Sequence, residues 1–430
     1  MYFTECQHPL IIKLTEVKLI IKGNFYMVTN FSLNDNTQKE ILKHLEITSK
    51  LLSKVGTELS GTQKESMIYA MPDLGIAQNG TRMLGGFYTG SCYSWDSDVP
   101  FIPVDATVNV CGTAVYRLKQ KITPQEFQRR LDGVMKNREI YLKYATTHLP
   151  SQILDSIDLE REDKFYWNYN VGNHFAILAE QNGENFELPE GQYMIVHASA
   201  IELKKDNLKY GLYPVEGNWY YDDIQTIYDD KENRYLRYIY GKKADQFSEL
   251  ANILQRINKD RNRYFCNAVL GELAGEEVIN LSHYGMPTKN AICIGCQWEQ
   301  DNFTLLTAPG NDIYLVHPDL SSKNTIKLKD KQITLTPHGC GVMLKNSSDT
   351  IEYLADGILI GNKHFKNGES INIGNDVLVR TNGMYSEQVK QHIEKVLDTC
   401  PGTIYGQIHQ LFARTKYGDF DYSRRDIERE

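Results

Sequence analysis

Short apolar–polar alternation over residues 1–26 predicts a small hairpin or an accessory leader. The spacing then lengthens. Ile41, Leu42, Leu45 and Leu51–Leu52 form one stripe of a helix over about 36–53, which Asn34 or Asp35 is placed to cap. Residues 67–118, rich in Gly, Val and Tyr, read as strands and loops. Thr123-Pro124-Gln125-Glu126 is a helix start, with a Thr cap, Pro in the first turn and Glu returning to the cap, and that helix runs to about 145. Phe175–Leu178 and Tyr193–Val196 read as strands. Leu250, Ile253, Leu254 and Ile257 mark an amphipathic helix over 245–272. After 288 the pattern turns strand-rich, with turns at Pro309-Gly310-Asn311-Asp312 and Asn367-Gly368, and a helix over about 386–398 precedes a charged tail from Ser423 to Glu430. Strands and helices in no regular βαβ order predict an α+β fold: a single large domain of mixed sheets and peripheral helices over 27–384, with 385–430 as a C-terminal helix and tail.

Composition narrows the function classes. With 430 residues, 41% hydrophobic and 24% charged, the chain has ample apolar material to offset its conformational entropy, so global disorder is excluded. No apolar run reaches the length of a membrane span, and no secretory leader is visible, so no membrane partner is expected. Eight cysteines are too few for a disulfide scaffold of this size, which points to the cytoplasm. The formal charge of −8 argues against bulk electrostatic binding of nucleic acid and leaves room for a local basic groove. Arg117, Lys119, Lys121, Arg129, Arg130, Lys136, Arg138 and Lys143 supply a candidate patch, the plain alternative being a solvated helix face.

Chemistry gathers at strand ends. His174, His197, His283 and His338 each close an apolar, strand-like run beside small residues, and Cys111 closes another in Val108-Asn109-Val110-Cys111-Gly112. Imidazole and thiolate on rigid strands suit a borderline-soft divalent ion, although the long separations form no local metal motif. Cys293-Ile294-Gly295-Cys296 lacks the second ligand pair of a structural zinc site and reads as strand residues. Gly80, Gly85 and Gly86 around Arg82 could line a phosphate loop but match neither the P-loop nor the dinucleotide fingerprint.

The order of these pieces is informative: Met71-Pro72-Asp73, Val110-Cys111-Gly112, Gly172-Asn173-His174-Phe175, Gly191-Gln192 leading to Val196-His197, Ile279-Asn280 leading to His283, Pro309-Gly310, and His338-Gly339-Cys340-Gly341. This order resembles the RtcB family of 3′-phosphate/5′-hydroxyl RNA ligases, which act in tRNA splicing and RNA repair. The similarity runs from about Met27 to about Lys345. The resemblance implies that Cys111, His174, His197 and His283, with an aspartate, hold two manganese ions. It makes His338 the nucleophile that takes GMP from GTP, places Asn173 on phosphate, and has Pro309, Gly310, Gly339 and Gly341 cradle the guanylate. The implied substrate is RNA bearing a 3′-phosphate or 2′,3′-cyclic phosphate end and a 5′-hydroxyl end, with room for an activating protein partner.

Departures mark a divergent member. The family's metal-binding Asp falls at Val108, so Asp105, or else Asn109, is expected to replace it. Ala198-Ser199-Ala200-Ile201-Glu202 follows His197 where the family has Ser-Gly-Ser-Arg-Gly, Val342 stands where an Arg follows His-Gly-x-Gly, and no counterpart of the C-terminal guanine-contacting Lys is evident. The alternative reading is a metal-dependent phosphoesterase or RNA-end-binding paralogue without guanylylation.

Overall fold

Asp35 sets the start of the first helix in this computed structural model. Its side chain accepts from the Gln38 backbone at 2.8 Å, and Gly61, in the left-handed region at φ +66°, ends the helix. The structure describes residues 26–157, 167–183, 185–200, 207–299, 301–307, 310–329, 331–339, 341–371, 377–380 and 386–423. The helices are α1 Asn36–Ser60, α2 Gly80–Gly85, α3 Pro124–Met135, α4 Arg138–His148, α5 Ser151–Leu154, α6 Lys242–Leu270 and α7 Ser386–Thr399. None of them is long and apolar enough to cross a membrane. The helix expected over 123–145 is two helices, because the Asn137 side chain accepts from the backbone of Glu139 and Ile140 and starts α4 afresh.

Two large sheets carry the molecule, and the fold is α+β. The first has five strands in the order Tyr26–Asn30, Ser66–Gly75, Thr89–Trp95, Ala291–Ile294, Tyr284–Thr288, with only the first pair parallel. The second runs Ala274–Ser282, Gly112–Leu118, Gly191–Ala198, Phe175–Gln181, Gly402–Thr415, Ile313–Pro318, Phe303–Leu305, with Gly418–Asp421 also on Gly402–Thr415. Helix α1 lies on the first sheet through buried Ile41, Leu45, Leu52 and Val55. Helix α6 lies on the second and adds a polar row to its apolar face: Asn258, Arg261 and Asn262 are fully or almost fully buried.

The helix expected over about 386–398 is present as α7, and it is packed into the rest of the molecule. Val389, Ile393 and Val396 of α7 pack with Phe303, Leu305 and Val316, and Gly402–Thr415 is an interior strand of the eight-stranded sheet. Of the expected leader, residues 1–25 lie outside the described residues, as does 424–430 of the tail. The six described cysteines are unbridged. Cys293 and Cys296 are fully buried strand residues in a core cluster with Cys92 and Cys400.

Candidate active site

Strand register assembles the site. Gly112 lies opposite both Ser282 and Ala198, and His197 lies opposite both Thr113 and Phe175. Four neighbouring strands therefore bring Cys111, His174, His197 and His283 to one end of the sheet. Asn258 of α6 fixes that end by donating to the carbonyls of Val110 at 2.9 Å and Ala198 at 3.1 Å. Val110 is held at φ +48°, a strained conformation for a buried β-branched residue, and Cys111 follows it directly.

The donor atoms face inward. His174 Nδ1 contacts the Asn168 carbonyl and His197 Nδ1 the Asn173 carbonyl, each at 3.0 Å. A carbonyl only accepts, so both Nδ1 atoms carry hydrogen and both Nε2 atoms present lone pairs to the cluster. His174 Nε2 stands 3.9 Å from Cys111 Sγ and 3.3 Å from Ser199 Oγ. His197 Nε2 stands 3.1 Å from His283 Nε2. Burial, reinforced by the neighbouring imidazoles, drives His283 well below the usual histidine range, so it is neutral.

Among the described residues no group of three or more His, Cys, Asp and Glu is preset to hold a metal ion. The chemistry of the donor set nevertheless fits one ion. Two imidazoles are pinned through Nδ1 to carbonyls, as metal-bound histidines are. The 3.1 Å between the His197 and His283 nitrogens is near the separation of about 3.3 Å between two nitrogens on one tetrahedral ion. Asp105, expected to replace the family's metal-binding aspartate, is fully buried and receives Arg237 Nε at 3.1 Å on both oxygens and Nη2 at 2.5 Å on one, so its carboxylate is engaged away from the cluster. Asn109 stands nearer the cluster, but it gives its amide N–H to Cys111 Sγ at 2.9 Å while Tyr213 donates to its Oδ1 at 3.0 Å.

His338 follows the strand Thr336–Pro337, and its ring lies 5.4 Å from that of His283. Sequence reasoning missed its partner. Asp73, only 1% exposed, directs Oδ2 at His338 Nδ1, and the same oxygen accepts from the backbone N–H of His338 at 2.9 Å and of Gly339 at 3.1 Å. The Asp fixes hydrogen on Nδ1, so Nε2 carries the lone pair, and it has no hydrogen-bond partner among the described residues. Gly339, at φ +116°, is required here: a Cβ would stand 2.4 Å from the backbone N and O of Leu306.

Two clefts meet at His338. One, of about 360 Å³, is lined by Arg82, Asn109, Cys111, Asn173, His283 and Gly341 among others. The other, of about 260 Å³ and more apolar, is lined by Phe175, Ile177, His197, Leu306 and Tyr417. Lys416, just beyond the strand Gly402–Thr415, lines both and was not anticipated. Of the expected cradle, Gly310 donates its N–H to Gln410 Oε1 at 3.1 Å and lines neither cleft, while Pro309 and Cys340 lie outside the described residues.

The expected basic patch lies elsewhere. It begins at Arg117, six residues or about 20 Å along the strand from Cys111. Glu126 pairs with Arg129 and Arg130 at 2.7 Å, Asp132 pairs with Lys136 at 3.0 Å, and Lys121 pairs with Glu180. No model of a known protein family matches the chain, and no curated protein matches it either.

Proposed function

We propose that the protein is an RNA ligase of the RtcB kind, which joins a 3′-phosphate or 2′,3′-cyclic phosphate end to a 5′-hydroxyl end with GTP. The observation that carries this reading is the Asp73–His338 pair: a histidine fixed in one tautomer, with its free nitrogen at a cleft beside a cluster of metal-type donors. His338 Nε2 attacks the α-phosphorus of GTP, forming an N–P bond as pyrophosphate leaves. Asp73 retains the proton at Nδ1 and offsets the charge that develops on the ring. An RNA 3′-phosphate oxygen then attacks the same phosphorus, breaks the N–P bond and carries GMP away as an activated end. The 5′-hydroxyl displaces GMP, releases its proton to solvent and closes the phosphodiester; a 2′,3′-cyclic phosphate end is first opened by water to the 3′-phosphate. Cys111, His174, His197 and His283 would hold the divalent ion, which supplies charge neutralisation at the transferring phosphoryl group when bound.

The test is covalent labelling. Protein loaded with manganese and incubated with α-³²P-GTP should gain an acid-labile, alkali-stable label. His338→Ala should lose the label and end-joining and keep its metal. Wild-type protein that takes no label from GTP or ATP sinks this reading. The phosphoesterase or end-binding reading then takes its place, favoured by the engagement of Asp105 with Arg237, which ties up the carboxylate expected among the metal ligands.

A further inference from the structure

Arg82 is a cation whose setting the foregoing chemistry does not use. Its backbone is tied at both ends: the N–H donates to Asn79 Oδ1 at 3.1 Å, and the carbonyl accepts from Phe87 N at 2.8 Å and from Gly86 N. Its guanidinium lies 4.9 Å above the ring of Tyr284, the residue after His283. Nε is buried with no hydrogen-bond partner, and no carboxylate pairs with the side chain among the described residues. The larger cleft, which Arg82 lines with His283, His338, Cys111 and Lys416, has no Asp or Glu among its described lining residues. A protein of net charge −8 thus places Arg82 and Lys416 at a cleft beside the proposed nucleophile, whose one carboxylate partner, Asp73, sits behind the ring at Nδ1.

We infer that Arg82 is the phosphate-binding residue of this cleft, receiving a phosphate monoester or anhydride on its guanidinium fork while Tyr284 holds the plane of the fork. This rests on the ligase reading for what is bound, and on the unpaired guanidinium for where. A planar fork offers two parallel donors to two phosphate oxygens, which a lysine ammonium does not. Stacking on Tyr284 holds the side chain before the anion arrives, so less rotamer freedom is lost on binding. The anion is either the polyphosphate of the nucleotide or the 3′-phosphate of the RNA, and both offer the same oxygens.

The test uses full-length, manganese-loaded protein and calorimetric titration with inorganic pyrophosphate, with GTP, and with one RNA oligonucleotide ending in either a 3′-phosphate or a 3′-hydroxyl. Arg82→Gln should weaken the phosphorylated probes roughly 10- to 100-fold, the size of one or two charge-assisted hydrogen bonds. Arg82→Lys should recover part of that loss. Metal content and the affinity for 3′-hydroxyl RNA should not change. A loss confined to GTP and pyrophosphate assigns the residue to the nucleotide, and a loss confined to the 3′-phosphate end assigns it to RNA. Where Arg82→Gln does not fold, pyrophosphate should protect Arg82 of the wild-type chain from phenylglyoxal, read by peptide mass. Unchanged affinity for every phosphorylated probe, or no protection, overturns the inference and leaves Arg82 as packing for Tyr284. Wild-type protein that binds pyrophosphate through Arg82 yet takes no GMP label sinks the ligase reading alone.

Discussion

A single oxygen of Asp73 organises His338, and the consequence is testable at that atom. It serves the imidazole and two backbone N–H groups together, so it sets both the tautomer and the turn. Asp73→Asn keeps an oxygen for those donors but removes the negative charge that balances a cationic ring. Labelling with GMP should fall by roughly 100-fold or more with metal content unchanged. Labelling at the wild-type rate would reduce the carboxylate to a backbone clip. Met71-Pro72-Asp73 is visible in the sequence as a motif, but its role is not, because the partner lies 265 residues away and nothing local marks the pairing. Asp105 shows the converse. A carboxylate close in sequence to Cys111 looks like a ligand until Arg237, 132 residues on, takes both of its oxygens.

Among the elements, α6 is the scaffold of the donor cluster. Arg261, fully buried, donates to Asn168 Oδ1 at 2.6 Å and to the Ser199 carbonyl at 3.1 Å, and the Asn168 carbonyl in turn orients His174. Arg261→Leu leaves those acceptors buried without that donor, at a cost of about 1–3 kcal/mol each. Urea unfolding should show a loss of about 2–5 kcal/mol. A loss under 1 kcal/mol would mean that the guanidinium is dispensable to the fold. Period-3.6 stripes made α1 and α6 legible in the sequence, and the apolar runs beside His174 and His197 gave their strands. The break at Asn137 was not legible, since a mid-pattern Asn is neutral until its side chain captures the backbone of the next turn. Gly402–Thr415 was missed because its alternately buried positions Gly406, Ile408, Gln410 and Phe412 include a Gly and a Gln, so the alternation in burial does not appear as an alternation of apolar residues.

For the molecule as a whole, buried neutral histidines set the acid limit. Burial, with Arg234 nearby, lowers His44 to about 3, and His283 is also far below its ordinary value. The unfolded chain takes up these protons below about pH 6.5, whereas the folded chain refuses them until far lower pH. Stability is therefore fully present above pH 6.5 and drains as pH falls from there toward 3. His44 alone should account for roughly 2 kcal/mol between pH 7 and pH 5. Urea midpoints at the two pH values should differ accordingly, and less so in His44→Gln. A variant with the same acid sensitivity as wild type would remove His44 from the account.

The interior place of Gly402–Thr415 also governs the order in which the protein can be made. His409 lies opposite Glu180, 409 − 180 = 229 residues earlier in the chain, with Ile313–Pro318 on the strand's other side. Until that strand docks, Phe175–Gln181 and Ile313–Pro318 each keep a bare hydrogen-bonding edge, a template for pairing with other chains. Closing so long a loop is slow. Lys416 arrives with the same strand, so the sheet is sealed and the cleft wall completed in one step. A chain whose Gly402–Thr415 has not yet docked thus carries two bare sheet edges and an incomplete cleft at the same time.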